Sequence, residues 1–130
     1  MEAMKILLLD HSLPVRFRLT RQLWAMPGVS QVIATAEGLH ALRLLKHMQP
    51  AMLLLDLDLP NSDPIQLIPQ FKQEIRDLKV MALTSKATDY KRQRYLRAGA
   101  DWFFDKSTDF EPLLTQLRQL SDSNQLRIAS

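Results

Sequence analysis

Short apolar runs alternate with longer segments of mixed apolar and polar residues along the whole chain. The runs cover residues 5–9, 31–36, 51–55, 80–83 and 102–104. Most are apolar at consecutive positions and are bounded by polar or turn-forming residues, which indicates β-strands buried on both faces. The pattern predicts five strands, each followed by a helical segment.

The longer segments repeat apolar residues every three or four positions, as amphipathic helices do. Ser12 is predicted to cap the first helix, which Pro14 suits in its first turn and which is expected to end near residue 26. Its predicted core-facing residues are Val15, Leu19, Leu23 and Met26. The second helix is expected over residues 38–48, and its predicted core-facing residues are Leu39, Leu42, Leu45 and Met48.

The other three helices are located by their ends. Asp63 and Pro64 predict the start of the third helix, and Pro69 is expected to kink or shorten it because proline cannot donate a backbone hydrogen bond. The fourth helix is expected over residues 88–97. The last is expected to start at a capping box in residues 108–111 and to end about nine residues later.

Five strand–helix units in strict alternation imply a parallel sheet with helices on both faces. We therefore predict an α/β fold built on a five-stranded parallel sheet that is doubly wound. A length of 130 residues suits one domain. The domain is predicted to cover residues 1–121, followed by a short polar tail over residues 122–130.

Composition limits the class of protein. The chain has no cysteine, so disulfides, thiolate metal sites and thiol nucleophiles are excluded. No apolar run approaches the ~20 residues of a membrane-spanning helix, and the N-terminus lacks a secretory signal pattern, so we expect a cytoplasmic protein without membrane insertion. Seventeen basic and fourteen acidic residues give a net charge of +3, which is mild, and no direct contact with nucleic acid is expected.

Polar side chains follow four of the five predicted strands, at the point where each strand ends. They are Asp10, Asp56, Thr84 and Lys106. The carboxyl ends of parallel strands meet at one edge of the sheet, which is where ligands bind in open α/β sheets. Any one of these residues could simply end a strand, but the four together predict a site made of two carboxylates, a hydroxyl and an ammonium group.

This arrangement resembles the receiver domain of two-component response regulators, over essentially the whole chain. The matching segments are residues 5–12 (KILLLDHS), 53–60 (LLLDLDLP), 82–85 (ALTS), 98–101 (AGAD) and 104–106 (FDK). An aspartate followed four residues later by proline, then a threonine and a lysine at the right intervals, is a specific combination. The resemblance implies the flavodoxin-like, receiver-type version of the predicted fold.

The resemblance also implies a chemistry. Asp56 would accept a phosphoryl group from a histidine kinase or a phosphotransfer protein, in a self-catalysed transfer. Mg²⁺ would neutralise the phosphoryl charge, bound by Asp10, Asp56 and the backbone carbonyl of Asp58. Lys106 would pair with one phosphoryl oxygen, and Thr84 would donate its hydroxyl to another.

The implied output is a contact with another protein. As Thr84 moves toward the phosphoryl group, Phe103 would change rotamer and reshape the face formed by the fourth helix, the fifth strand and the fifth helix. The fourth helix is basic there, with Lys91, Arg92, Arg94 and Arg97. We expect a stand-alone receiver that signals through a protein partner at this face.

Three positions depart from the family pattern. Family members usually carry a second acid where this chain has His11. If the imidazole lies in the metal shell, the site has one hard oxygen ligand fewer, and Mg²⁺ binding would be weaker. The imidazole could instead point to solvent. Asp58 borders the implied phosphoryl pocket and could either orient a hydrolytic water or repel the phosphoryl charge. Ser107 stands where the family commonly has proline, which leaves the loop geometry around Lys106 open.

Two other functions compete with phosphoryl signalling. The first is a pseudo-receiver, an interaction module of the same fold that needs no phosphate, and His11 and Ser107 favour it. The second is an aspartyl-phosphate phosphatase of the haloacid-dehalogenase type, because Asp56 and Asp58 after an apolar strand resemble that nucleophile motif. That family usually places the motif on its first strand, whereas Asp10 precedes it here.

Overall fold

The sheet of the protein has the predicted five parallel strands. A computed structural model describes residues 4–129, with side chains through residue 123. The strands are β1 (Met4–Leu9), β2 (Val29–Thr35), β3 (Met52–Asp56), β4 (Lys79–Thr84) and β5 (Trp102–Asp105). They are arranged in the order β2-β1-β3-β4-β5, the flavodoxin-like order of doubly wound sheets.

Five helices connect and follow the strands in the described part of the chain. They are α1 (Leu13–Trp24), α2 (Gly38–Met48), α3 (Pro64–Glu74), α4 (Asp89–Ala98) and α5 (Phe110–Ala129). Ser12 caps α1 by accepting a hydrogen bond from the Val15 N–H, and Asp63 caps α3 by accepting one from the Ile65 N–H, so these two of the predicted caps are confirmed. No helix in the described residues is long and apolar enough to span a membrane.

Two apolar cores cover the two faces of the sheet. In β1, Ile6 and Leu8 pack against α1 and α5, while Leu7 and Leu9 pack against α2 and α3. The same alternation runs through β3 and β4. All of these strand residues are buried, which is why the strands read as continuous apolar runs in the sequence.

The register places the ends of the central strands at one edge. Leu8 of β1 lies opposite Ala34 of β2 on one side and Leu54 of β3 on the other. Consequently Asp10 and Asp56 follow neighbouring strands at the same height. The strand order reverses direction between β1 and β3, and ligands of doubly wound folds bind at that point.

The predicted core-facing side of α2 is wrong at Leu39, which is 74% exposed. The buried residues of α2 are Ala41, Leu45 and Met48. A strict spacing of three residues drifts by about 60° per step around a helix of 3.6 residues per turn, so residues 39 and 48 lie on opposite sides. Ala41, rather than Leu39, shares the face of Leu45.

The predicted end of α5 is also wrong. Helix α3 contains Pro69 and continues to Glu74, so the proline does not end it, and the predicted kink stays a prediction. Helix α5 continues to Ala129, past its predicted end near residue 120 and through the segment predicted to be a polar tail. Ser121 is buried there, and its hydroxyl accepts a hydrogen bond of 2.9 Å from the Gly28 N–H, which ties α5 to the start of β2.

Candidate functional site

Three of the four predicted site residues meet at the carboxyl edge of the sheet. Asp10 follows β1, Asp56 ends β3, and Lys106 follows β5. The Lys106 ammonium lies 2.8 Å from Asp10 Oδ2 and 2.8 Å from Asp56 Oδ1. Both carboxylates are fully buried and the lysine side chain is 10% exposed. Two buried acids therefore share one cation.

The two carboxylate oxygens of Asp10 have different partners: Oδ1 binds the loop that follows β1, and Oδ2 faces Lys106. Its Oδ1 accepts a hydrogen bond of 2.8 Å from the Ser12 N–H. Its buried Oδ2 forms an ion pair with the Lys106 ammonium at 2.8 Å and has no other partner within the described residues. Burial raises the pKa of the Asp10 carboxyl above its ordinary value, and the nearby Asp56 charge adds to the increase.

Asp56 is surrounded by donors. Its Oδ1 accepts hydrogen bonds of 2.8 Å from both Lys106 Nζ and the Asp58 N–H, and its Oδ2 accepts one of 3.0 Å from the His11 N–H. Burial alone would raise the pKa of the Asp56 carboxyl, but the hydrogen bonds from Lys106 and His11 hold it below its ordinary value. Asp56 is therefore an ionised carboxylate at neutral pH.

His11 faces the site rather than solvent. Its Nδ1 is hydrogen-bonded to Asp56 Oδ2, so the interpretation that the imidazole points away from the site is wrong. The side chain is 44% exposed and thus lies on the solvent side of the two buried acids. This contact joins residues 45 positions apart, which no local pattern in the sequence predicts.

Lys106 is held in its charged form by the two acids. Burial alone would lower the pKa of the Lys106 ammonium, but the hydrogen bonds and charges of Asp10 and Asp56 raise it above its ordinary value. Its backbone N–H donates to the Thr84 carbonyl at 2.8 Å. The peptide bond to Ser107 is trans, like every peptide bond among the described residues.

Thr84, the fourth predicted site residue, lies at the same edge with its hydroxyl bonded to Asp58. The hydroxyl donates to Asp58 Oδ1 at 3.0 Å, and the Ser85 N–H donates to Asp58 Oδ2 at 2.7 Å. The Asp58 side chain thus binds the loop that follows β4. The predicted metal ligand, the backbone carbonyl of Asp58, remains a prediction.

Asp105 is a site-forming residue that the sequence reasoning missed. Its buried carboxylate accepts hydrogen bonds from the N–H groups of Ala87, Ser107 and Thr108 and from the Ser107 hydroxyl. These bonds hold the pKa of the Asp105 carboxyl far below its ordinary value. Asp105 therefore fixes both the loop that carries Lys106 and the loop after Thr84. An acid followed closely by serine and threonine is a common turn pattern and could have indicated it.

Phe103 is buried on the face of the sheet that α2 and α3 cover, and it lies opposite Ala82 of β4. The Arg92 guanidinium of α4 lies 5.3 Å from the centre of its ring. The aromatic ring thus links β5 to α4. The described structure has Phe103 in this inward position.

The acids and the imidazole fit a divalent cation. One ligand atom from each of Asp10, His11 and Asp56 lies within 4.8 Å of the others. The buried Asp10 Oδ2 has the Lys106 ammonium as its one partner within the described residues and can accept a cation as a second. Carboxylate oxygen and imidazole nitrogen are both common metal ligands in proteins.

Comparisons with known proteins agree with this geometry. The model of the response regulator receiver domain family matches residues 6–118. Response regulator MprA of Mycobacterium leprae (strain TN) is 32% identical over 117 residues, which are 90% of this chain and 50% of MprA. The chain spans about half the length of the curated relatives it matches.

Solved structures share the fold. The signal receiver domain of the DNA binding response regulator protein merR from Colwellia psychrerythraea 34H has a TM-score of 0.81 and 24% identity, over 92% of this chain and 98% of that one. The Mn²⁺-bound form of response regulator Rcp1 has a TM-score of 0.72 and 20% identity, over 90% of this chain and 91% of that one. Because the family match covers most of the chain, the protein belongs to the receiver domain family of two-component response regulators.

Proposed function

We propose that this receiver domain accepts a phosphoryl group on Asp56 from a histidine kinase or a phosphotransfer protein and passes the signal on by contact with another protein. Receiver domains interact with histidine kinases and with downstream partners. One observation carries the proposal: the buried, ionised Asp56 shares the Lys106 ammonium with Asp10 at the carboxyl edge of the sheet.

The transfer is a displacement at phosphorus. A carboxylate oxygen of Asp56 attacks the phosphorus of the donor's phosphoimidazole, forming an O–P bond as the N–P bond breaks. The electron pair leaves on the imidazole nitrogen, which takes up a proton from solvent. The Lys106 ammonium, 2.8 Å from Asp56 Oδ1, lies where it neutralises charge on the phosphoryl oxygens.

A divalent cation completes the charge balance. Receiver domains bind Mg²⁺ at an acidic pocket, and Rcp1 has been solved in a Mn²⁺-bound form. Here Asp10, His11 and Asp56 would hold the cation, with the Asp58 carbonyl as a further predicted ligand. Such a cation, when bound, withdraws charge from the phosphoryl oxygens. Since an imidazole stands in place of an acid, we expect weaker Mg²⁺ binding than a His11→Asp variant would have.

The switch begins at the bond between Thr84 and Asp58. The Thr84 hydroxyl must release Asp58 Oδ1 before it can donate to a phosphoryl oxygen on Asp56. We propose that this movement frees space for a new rotamer of Phe103, which now packs beneath Arg92 of α4. The phosphoryl group thereby favours the second state through contacts that only that state makes.

Helix α4 is suited to respond. It contains no fully buried residue, and only Tyr95 and Ala98 are partly buried against the core, so moving it exposes little apolar surface. Its outer surface presents Tyr90 with Arg94 and Arg97, which line a shallow cleft of about 420 Å³ beside α3. We propose that α4, with β5 and α5, forms the surface for an acidic partner protein.

The interface has its own test. Arg94→Glu together with Arg97→Glu should weaken binding of the partner by at least about tenfold, since charge reversal repels an acidic surface. Arg43→Glu, at an exposed position of α2, is the control for reversal of a surface charge elsewhere. Equal partner binding by the α4 double variant and the control would show that α4 is not part of the interface.

Mass spectrometry of the intact protein after incubation with acetyl phosphate and Mg²⁺ or Mn²⁺ tests the phosphoryl acceptance. The wild type should gain the mass of one phosphoryl group, Asp56→Asn should gain none, and Asp77→Asn, at an exposed position in the loop after α3, should behave as the wild type. A folded wild type that gains no mass would favour the pseudo-receiver. Repeated turnover of a generic phosphate ester would favour a phosphatase, which the family match and the bond of Asp58 to Thr84 oppose.

A further inference from the structure

We propose that the cation site of this receiver selects a first-row transition cation that accepts nitrogen, such as Zn²⁺ or Co²⁺, over Mg²⁺, through His11. The inference rests on the proposed function, because it names the cation of the same site. It is tested on the unphosphorylated protein. The cation preference can therefore be refuted while phosphoryl acceptance is confirmed, and phosphoryl acceptance can be refuted while the cation preference is confirmed.

The first argument is the identity of the ligands. Within the described residues, the cluster that could hold a metal consists of Asp10, His11 and Asp56, with their ligand atoms within 4.8 Å of one another. Mg²⁺ demands oxygen ligands in near-ideal octahedral geometry. Zn²⁺, Co²⁺ and Ni²⁺ bind imidazole well, and their affinities for mixed nitrogen and oxygen sites exceed that of Mn²⁺. One nitrogen among three ligands favours these cations.

The second argument is charge. The carboxylates of Asp10 and Asp56 and the ammonium of Lys106 leave one net negative charge at the site. Asp58 offers no further ligand oxygen, since both oxygens of its carboxylate accept hydrogen bonds from Thr84 and Ser85. Attraction of Mg²⁺ depends mainly on the number of anionic oxygens, so this site attracts it weakly. A transition cation gains additional bonding from the imidazole nitrogen and depends less on that charge.

The third argument is the position of the imidazole. Asp10 and Asp56 are fully buried, whereas the His11 side chain is 44% exposed, so the imidazole covers the acids from the solvent side. The buried Asp10 Oδ2 is paired only with the Lys106 ammonium, at 2.8 Å, and keeps a lone pair that can bind a cation. To bind a cation, His11 Nδ1 gives up its hydrogen bond with Asp56 and releases the proton of that bond, so that the imidazole is neutral with its remaining proton on Nε2 and the Nδ1 lone pair faces the cation. The site is thus arranged as two fixed oxygen ligands and one accessible nitrogen ligand.

Calorimetric titration of the full chain with Zn²⁺ and, separately, with Mg²⁺ tests the inference. Zn²⁺ should bind the wild type at least about tenfold more tightly than Mg²⁺ does, and His11→Asp should reduce that ratio by at least about tenfold. His47→Asp, on the exposed side of α2, is the matched control and should leave the ratio unchanged. A wild type that binds Mg²⁺ as tightly as Zn²⁺, or a ratio that His11→Asp does not change, would overturn the inference.

A spectrum of the wild type keeps the test valid if a variant does not fold. Zn²⁺ at one equivalent should shift the imidazole ¹⁵N resonances of His11 and leave those of His40 and His47 in place. A shift confined to His40 or His47 would show that the cation binds elsewhere and would contradict the proposal.

Discussion

Replacing Lys106 by methionine should destabilise the protein strongly when divalent cations are removed with EDTA. The ammonium is the cation that Asp10 and Asp56 share, at 2.8 Å from each, and all three side chains are buried or nearly so. Breaking a buried ion pair by removing one partner costs about 3–5 kcal/mol, because the remaining charge is left uncompensated. Here two carboxylates remain, so we expect the upper part of that range.

Lys72→Met is the matched control. Lys72 also pairs with an aspartate, Asp101, at 3.0 Å, but the two side chains are 28% and 26% exposed. Water screens that pair, and its loss should cost less than about 1 kcal/mol. The same substitution at the two positions therefore separates the effect of burial from the effect of removing a lysine.

Urea denaturation at pH 7 in EDTA measures the two losses. The cost of Lys106→Met should fall by more than half in the presence of Asp10→Asn, because only one buried carboxylate then remains. In Lys106→Met the folded-state pKa values of the two acids should rise above their unfolded-state values. The folded protein then binds more protons than the unfolded chain as pH falls. The free energy of unfolding of the variant should therefore increase from pH 7 to pH 5. Equal losses for Lys106→Met and Lys72→Met would refute the reasoning.

Three other predictions concern the frame of the site and the lifetime of the modified state. Gly28→Ala would place a Cβ 2.2 Å from the Ser121 carbonyl oxygen, so it should lower the stability measured in a thermal melt by about 2–4 kcal/mol. Gly38→Ala would place its Cβ 3.7 Å from the nearest atom, Ser62 Oγ, and should leave the stability unchanged or raise it by up to about 1 kcal/mol. Asp105→Asn should cost about 2–4 kcal/mol at pH 7. Because the folded-state pKa of Asp105 is depressed, its stabilisation is complete above the unfolded-state pKa near 4 and is lost as pH falls below that value. The difference in stability from the wild type should therefore stay nearly constant from pH 7 to about pH 5 and narrow below about pH 4, and a difference that stays constant at the lower pH would contradict this. Asp58→Asn should change the half-life of the phosphorylated protein, followed by the decay of the adduct mass, and identical half-lives would remove Asp58 from the reaction.

The sequence predicts the sheet well because its strands are buried on both faces. That burial makes nearly every position of a strand such as β3 apolar, and all five of its residues are buried. The acids at the strand ends are predictable for a related reason: parallel strands bring their carboxyl ends to one edge, whatever the distance along the chain. Asp10, Asp56, Thr84 and Lys106 follow from that rule alone.

The sequence cannot predict contacts that depend on side-chain direction across the site. The approach of His11 to Asp56 and the bond of Thr84 to Asp58 each join distant segments, and the residue types allow other pairings. The C-terminal part of α5 was missed for another reason. Its polar composition suggests a tail, but a helix already formed through Leu117 extends at little cost, and Ser121 anchors the extension to Gly28.

The location of the phosphoryl group tests the central claim most directly. After incubation with acetyl phosphate, reduction with sodium borohydride converts an aspartyl phosphate to homoserine, and tandem mass spectrometry of the peptides then identifies the position. The account predicts homoserine at position 56 in the wild type. Homoserine at position 10 or 58, or at no position in a folded sample, would contradict it.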